Sequence, residues 1–180
     1  MIYVEQLRSL VPRARDVISG LSESQINWHP VPGSWSVGEC IAHLNTTNGL
    51  YVRNLEQSFH LARQQGWTSR TGEPQPGLFE RWFSASLEPP YRMRFKSPKQ
   101  FEPPASRYER DELLARWVSI HERLLSLAEE NADLDWKKIK VSSPVSSRIK
   151  LSSVGVFAVI GAHDRRHLWQ AEQVRSKLTL

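Results

Sequence analysis

One helical track near the end of the chain constrains the fold more than any other stretch. At about 3.6 residues per turn, Val156, Val159, Ile160, His163, His167, Gln170 and Val174 fall on a single face. An apolar line of that length needs other helices packed against it. Its two imidazoles, one turn apart, interrupt the line on the inward side. A lone core histidine needs only a hydrogen-bond partner. Two at i and i+4 have a second use, because imidazole nitrogen is the commonest ligand for zinc-like ions. The pair by itself leaves both readings open, and a third ligand from elsewhere decides between them.

The partner helices are visible as further 3.6-residue patterns. Tyr3 to Ser19 carries Val4, Leu7, Leu10, Val11, Ala14 and Ile18, with Pro12 inside expected to kink or interrupt it and Gly20 ending it. Ser22-Glu23-Ser24-Gln25 has the form of a capping box and predicts a short helical turn. Trp28 to Gly33, with Pro30 and Pro32, is a rigid connection in which His29 reads as a loop residue. A second capping box, Ser36-Val37-Gly38-Glu39, opens a helix running to about Gln65, with Val37, Ile41, Leu44, Tyr51 and Leu55 inward and Cys40 and His43 at the edge of that stripe. A third long helix is expected from Ser106 or Arg107, with Glu109 completing a capping box, to Glu130, and a fourth from Ser152 or Ser153 through Lys177. Asn131 to Lys150 reads as a connection without convincing strand alternation.

Residues Gly66 to Ser106 differ in kind. Seven of the eleven prolines fall there, which rules out one long helix, yet Phe79, Trp82, Phe83, Leu87, Tyr91, Phe95 and Phe101 make the stretch too aromatic for a disordered linker. It reads as an ordered crossover with a short helix around Leu78 to Ser86. The pattern predicts an all-α four-helix bundle, residues 1–180 forming one domain, with a long proline- and aromatic-rich crossover between helices 2 and 3.

The totals narrow the function classes. The net charge of +5 is scattered, its densest group being Arg92, Arg94, Lys96 and Lys99, and no basic stripe with stacking aromatics suggests nucleic-acid binding. Such a surface would attract an anionic small substrate. The longest apolar run, Val154 to Ala162, is far short of the roughly 20 residues that cross a bilayer, and Met1 to Gln6 lacks the pattern of a secretory leader. With the single Cys40, the expectation is a cytoplasmic protein that binds neither membrane nor nucleic acid.

At this point a family becomes recognisable. Trp35-Ser36-Val37-Gly38-Glu39-Cys40-Ile41-Ala42-His43-Leu44 resembles the second-helix motif of the DinB/YfiT-like superfamily, and His163-Asp164-Arg165-Arg166-His167-Leu168-Trp169-Gln170 resembles its C-terminal histidine motif. Lys96 to Pro104 and Ser142-Ser143-Pro144 are similar to connecting segments of the subgroup with a long crossover, so the resemblance spans Leu7 to Arg175. It implies an antiparallel bundle in which three histidines, here His43, His163 and His167, hold one divalent ion. Zinc or nickel is expected, with iron or copper also compatible with three imidazoles. It further implies a homodimer and a metal-dependent enzyme that activates water, or a low-molecular-weight thiol of the bacillithiol or mycothiol kind, for attack on a small electrophile. That describes a detoxifying S-transferase or a hydrolase. A non-catalytic metal- or ligand-binding stress bundle is the rival reading, and a metal-free fold with hydrogen-bonded histidines is a third.

Three neutral imidazoles would leave an ion its full charge and an open position, as catalytic sites do. Their outer nitrogens then need fixing, and Gln170, Thr47 and His121 are the candidates. Glu39 is a candidate proton shuttle, although its capping box already explains it. Cys40 reads as core filling, with its Cys-x-x-His spacing leaving a thiolate ligand open. His-Asp-x-x-His is one methylene short of the zinc-protease pattern, which argues against a peptidase. Asp164, Arg165 and Arg166 fall off the ligand stripe and are expected in surface pairs or at the rim. Arg166 is the candidate for binding an anionic substrate.

Overall fold

The computed structural model describes residues 1–68, 72–90, 97–104 and 106–178. Of the residues singled out above, Tyr91, Arg92, Arg94, Phe95 and Lys96 lie outside the described residues. The elements in chain order are α1 Ile2–Ile18, α2 Glu23–Ile26, α3 Val37–Gln64, α4 Leu78–Leu87, a 3-10 turn Lys99–Phe101, α5 Arg110–Glu130, β1 Lys140–Ser143, β2 Ser146–Ser152 and α6 Ser153–Arg175. No described helix is long and apolar enough to cross a membrane.

Two of the three predicted capping boxes form. Ser22 and Gln25 start α2, and at α3 the Ser36 hydroxyl accepts from the Glu39 amide while the Glu39 carboxylate accepts from the Ser36 amide. Pro12 does not interrupt α1, which is continuous from Ile2 to Ile18. The proline lies on the solvent side, and Leu7, Leu10, Ala14, Val17 and Ile18 anchor the opposite face on both sides of it. The third long helix starts later than expected, and Glu109 caps it without a side-chain bond. Asn27 holds the preceding chain extended: its Oδ1 accepts from the Tyr108 amide at 2.8 Å and its Nδ2 donates to the Tyr108 carbonyl at 2.9 Å.

Four helices build the bundle. α1 and α3 each pack against both α5 and α6, so α1 and α3 face each other across a diagonal. The family resemblance implied an antiparallel bundle, and two of the four lateral pairs instead run parallel. Asn45 donates to the Leu113 carbonyl, Arg123 pairs with Glu56 and Arg63 donates to Asn131, so α3 and α5 rise together. Arg13 pairs with Glu172 and Arg175 donates to the Val17 carbonyl, which sets α1 and α6 parallel at their C-terminal ends. α3 runs against α6, and α1 against α5, where Arg8 near the start of α1 meets Glu129 near the end of α5. Parallel neighbours cannot be joined by a tight turn, and here the crossover joins one such pair.

The second departure is a hairpin inside the stretch read as a connection. β1 and β2 pair antiparallel, Lys140 opposite Ser152 and Val141 opposite Leu151. Only Val141 and Leu151 make a buried apolar pair, so the sequence offers too little alternation to announce a strand. Asn54 and Ser58 of α3 donate to the carbonyls of Ser142 and Lys140, which ties β1 to the bundle. The core is filled by Trp117, Trp136, Phe59 and Phe157 with a continuous set of aliphatic side chains. Each such side chain contributes about 1.5–3 kcal/mol when fully buried.

α4 lies on α6 and is clamped to it at both ends. The buried Glu80 carboxylate accepts from the Ser152 amide at 2.5 Å, the Ser152 hydroxyl at 2.7 Å and the Gly77 amide at 2.7 Å. Glu88 pairs with Arg165 at the other end.

Candidate metal centre

The site is built from two antiparallel helices. The Ser36 cap fixes where α3 begins, and Val37, Ile41 and Leu44 turn fully inward, which carries His43 onto the α6 side. α6 supplies His163 and His167. Nε2 of His43 lies 3.2 Å from Nε2 of His163, and one ring nitrogen from each of the three histidines lies within 4.8 Å of the others. The three ring centroids are 4.6–5.1 Å apart. Trp35, at the start of the second-helix motif, walls the cluster, its indole 4.9 Å from His43 and stacked on His167 at 5.5 Å.

Hydrogen bonding decides which nitrogens face inward. Nδ1 of His43 meets the Phe101 carbonyl at 2.7 Å, and Nδ1 of His167 meets Oε1 of Gln170 at 3.0 Å. A carbonyl oxygen can only accept, so both Nδ1 atoms carry the proton, and in the neutral ring Nε2 keeps its lone pair. Burial pushes the His43 imidazole below its ordinary value, against the bond to Phe101 and the Asp164 charge, which act the other way. Burial, with His43 and Arg166 nearby, holds His163 down to about 3. His167 is held well below the ordinary range by burial, then by His163, His43 and Arg166. All three rings are therefore neutral, and His43 and His167 each keep a lone pair on Nε2. Two donors at about 2.0–2.1 Å from a tetrahedral ion sit roughly 3.3 Å apart, close to the 3.2 Å between His43 and His163. The donor set fits a divalent cation.

The other candidates divide. Gln170 does hold a ring of the cluster, that of His167. Thr47 does not, because its hydroxyl donates back to the carbonyls of His43 and Leu44 within its own helix. His121 is fully buried but bonds Asp164 and the Trp117 carbonyl, not a ring of the cluster. Glu39 serves the capping box and also lies 2.8 Å from Nε2 of His29, which gives that loop histidine a partner the sequence did not suggest. Cys40 is completely buried among apolar side chains, and burial pushes its thiol far up, so it fills the core.

Asp164 and Arg166 are corrections. Expected at the surface or rim, they are 0% and 6% exposed. A helical wheel assumes that a helix has a wet side, but α1, α3 and α4 all pack on α6 and bury 16 of its 23 residues. Arg165 does form the expected pair, with Glu88. The Phe101 carbonyl gave no sequence signal, since any residue presents one. Trp35, Asn48 and Asp164 were visible as residue types but not as neighbours.

No curated protein matches the chain. Among solved structures, the fold is similar to that of YfiT from Bacillus subtilis, described as a probable metal-dependent hydrolase with an unusual four-helix bundle topology. The TM-score is 0.62 at 14% identity, over 97% of this chain and 85% of that one, a likeness that concerns the fold alone. The sequence model of the DinB superfamily matches residues 6–171. The helix order, the histidine cluster and that match over most of the length agree, and the chain belongs to the DinB superfamily.

Proposed function

We propose that this chain is a metal-dependent enzyme acting on a small molecule, with His43, His163 and His167 as the ligands of one divalent ion. One observation carries the reading: three neutral imidazoles from two helices, 120 residues apart in the case of His43 and His163, converge with a 3.2 Å gap between two Nε2 atoms. A bound zinc- or nickel-like ion would supply a Lewis acid that lowers the pKa of a coordinated water or thiol. The chain's own residues do the rest. The Phe101 carbonyl and Gln170 hold two of the rings in the tautomer that presents Nε2. Trp35 closes one side of the cluster with an apolar wall and limits water there. The description of YfiT as a probable hydrolase supports attack by water on a small ester or amide, and attack by a low-molecular-weight thiol is the alternative for the same donor set.

The test starts from untagged protein. Elemental analysis is expected to find about one divalent ion per chain, and His163→Ala to lose it. Metal-loaded protein is then assayed for hydrolysis of activated esters and for conjugation of a monothiol to a small electrophile. Activity that disappears on chelation and returns with metal supports the enzyme reading, and the substrate that responds separates hydrolase from transferase. Stoichiometric metal with neither activity would favour a binding or storage bundle. Protein that takes up no metal, and whose melting temperature chelators and added zinc or nickel leave unchanged, would defeat the metal reading.

A further inference from the structure

A second polar layer crosses the bundle interior one turn from the cluster. Asp164 follows His163 in α6. Its Oδ1 accepts from Nδ2 of Asn48 in α3 at 2.8 Å, and its Oδ2 lies 3.0 Å from Nε2 of His121 in α5. His121 Nδ1 meets the Trp117 carbonyl at 3.1 Å, and the Trp117 ring packs tilted against the His121 ring with centroids 3.9 Å apart. Asn48, His121, Asp164 and Trp117 are all at most 1% exposed. Because Nδ1 faces a carbonyl, it carries a proton, and the contact between Nε2 and Oδ2 holds a second one. The pair is neutral as a unit, which lowers the cost of burying its carboxylate.

A buried network of this kind is costly to desolvate and adds little stability over an apolar core of the same shape. What it adds is direction. α6 is apolar around most of its circumference, with residues 153–162 buried without exception. Apolar contact is non-directional, so a helix of that composition buries nearly as much area after a rotation or a one-residue slide. The histidine cluster tolerates neither, since one residue along a helix is a turn of about 100° and a rise of about 1.5 Å.

We propose that Asn48, Asp164 and His121 form a register pin that locks the rotation and height of α6 against α3 and α5, so that His163 and His167 meet His43. Asp164 is thus a positioning residue for the cluster, and the proposal rests on the metal reading of that cluster for its main readout. Hydrogen bonds from one carboxylate to two other helices leave α6 a single phase. The pin and the ligand pair share the 163–164 step of the backbone, so a shift at one is transmitted directly to the other.

Cobalt(II) titration of the full chain tests this, with affinity and visible ligand-field spectrum as readouts. Asp164→Asn can still accept from Asn48 and donate to a neutral His121, so it should bind cobalt within about threefold of wild type, with the same spectrum. Asp164→Ala removes both arms and should lose about 10- to 100-fold in affinity, the range for outer-shell changes, with an altered spectrum. Phe59→Ala, at the far end of α3, is the control for general destabilisation and should keep both. Wild-type affinity and spectrum in Asp164→Ala, or an equal loss in Phe59→Ala, would overturn the pin. Should Asp164→Ala not fold, Asn48→Ala, which cuts one arm, is expected to show the same loss in weaker form, and wild-type behaviour there would overturn it equally. Wild-type protein that takes up no cobalt contradicts the metal reading, not the pin. The pin is then read from ring-to-ring NMR contacts between His43 and His163 in metal-free protein, which must weaken in Asp164→Ala and persist in Asp164→Asn.

Discussion

Glycine at position 155 and glutamate at position 80 are expected to be energetically one unit, and a double-mutant cycle measures it. In Glu80→Ala three hydrogen bonds to a carboxylate vanish. The Ser152 amide, in a residue 1% exposed, is left unpaired and should cost about 1–3 kcal/mol. The Ser152 hydroxyl still accepts from the Gly155 amide and loses less, and the Gly77 amide is close to water. Loss of a negative charge at the start of α6 adds about 0.3–1 kcal/mol. The sum is about 2–4 kcal/mol, or roughly 4–16 °C in melting temperature for a chain of this size.

Gly155→Ala should reproduce much of that loss without touching Glu80. A Cβ at position 155 would sit 2.4 Å from Glu80 Cδ and 2.6–2.7 Å from its oxygens. A carboxyl at the end of a flexible side chain normally gives way cheaply. This one can move only by leaving the three donors that hold it. The single substitution should therefore cost about 2–4 kcal/mol, while in the Glu80→Ala background it should be neutral or stabilising by up to about 1 kcal/mol, the ordinary helix gain of alanine over glycine. Thermal or urea unfolding of the four proteins reads the coupling. Equal costs of Gly155→Ala in both backgrounds would refute the argument that glycine is required there by the Glu80 seat.

The same carboxylate gives a pH dependence. Burial alone would raise the Glu80 carboxyl, but the bonds from Ser152 and Gly77, with Lys140 nearby, hold it below its ordinary 4.5. A depressed folded-state value stabilises above the unfolded one, so the gap in melting temperature between wild type and Glu80→Gln should be constant from about pH 7 to 5 and close as pH falls below about 4.5. Gln170→Ala removes the acceptor of His167 Nδ1 and should weaken zinc binding about 10- to 100-fold by competition titration with a chromophoric chelator, with Gln170→Glu restoring it. Ser36→Ala removes the cap of α3 and should cost about 1 kcal/mol, or about 2–4 °C, in a thermal melt.

What the sequence made legible, and what it hid, follows from the range of each interaction. The long helices were readable because each repeats its apolar signal over several turns and most announce their ends, as Ser36 with Glu39 does for α3. The hairpin was not, because one buried pair, Val141 with Leu151, is no periodicity at all. The three histidines could be aligned from spacing and family resemblance. Their environment could not. Spacing alone puts Asp164 at the surface or rim because a wheel drawn for one helix knows nothing of three neighbours, and the acceptor of His43 is a main-chain carbonyl 58 residues away. Gln170 was recoverable for the opposite reason: its distance from His167, three positions on a helix, is local.

The parallel pairing of α3 and α5 explains why that remote carbonyl is where it is. A helix of 28 residues is about 42 Å long, and a chain that must return along it to start a parallel neighbour needs about 13 extended residues at roughly 3.3 Å each. Residues 65–109 are more than three times that. Among its described residues the surplus carries structure. Part of it forms α4, which Glu80 and Glu88 fasten to the two ends of its contact with α6. Part of it forms the 3-10 turn whose buried Phe101 brings its carbonyl onto His43. The crossover thus touches both helices that carry the histidines, orienting a ring on α3 and seating the N-terminus of α6. A shorter connection could satisfy the topology, but it would leave His43 without the acceptor that turns Nε2 toward its partners.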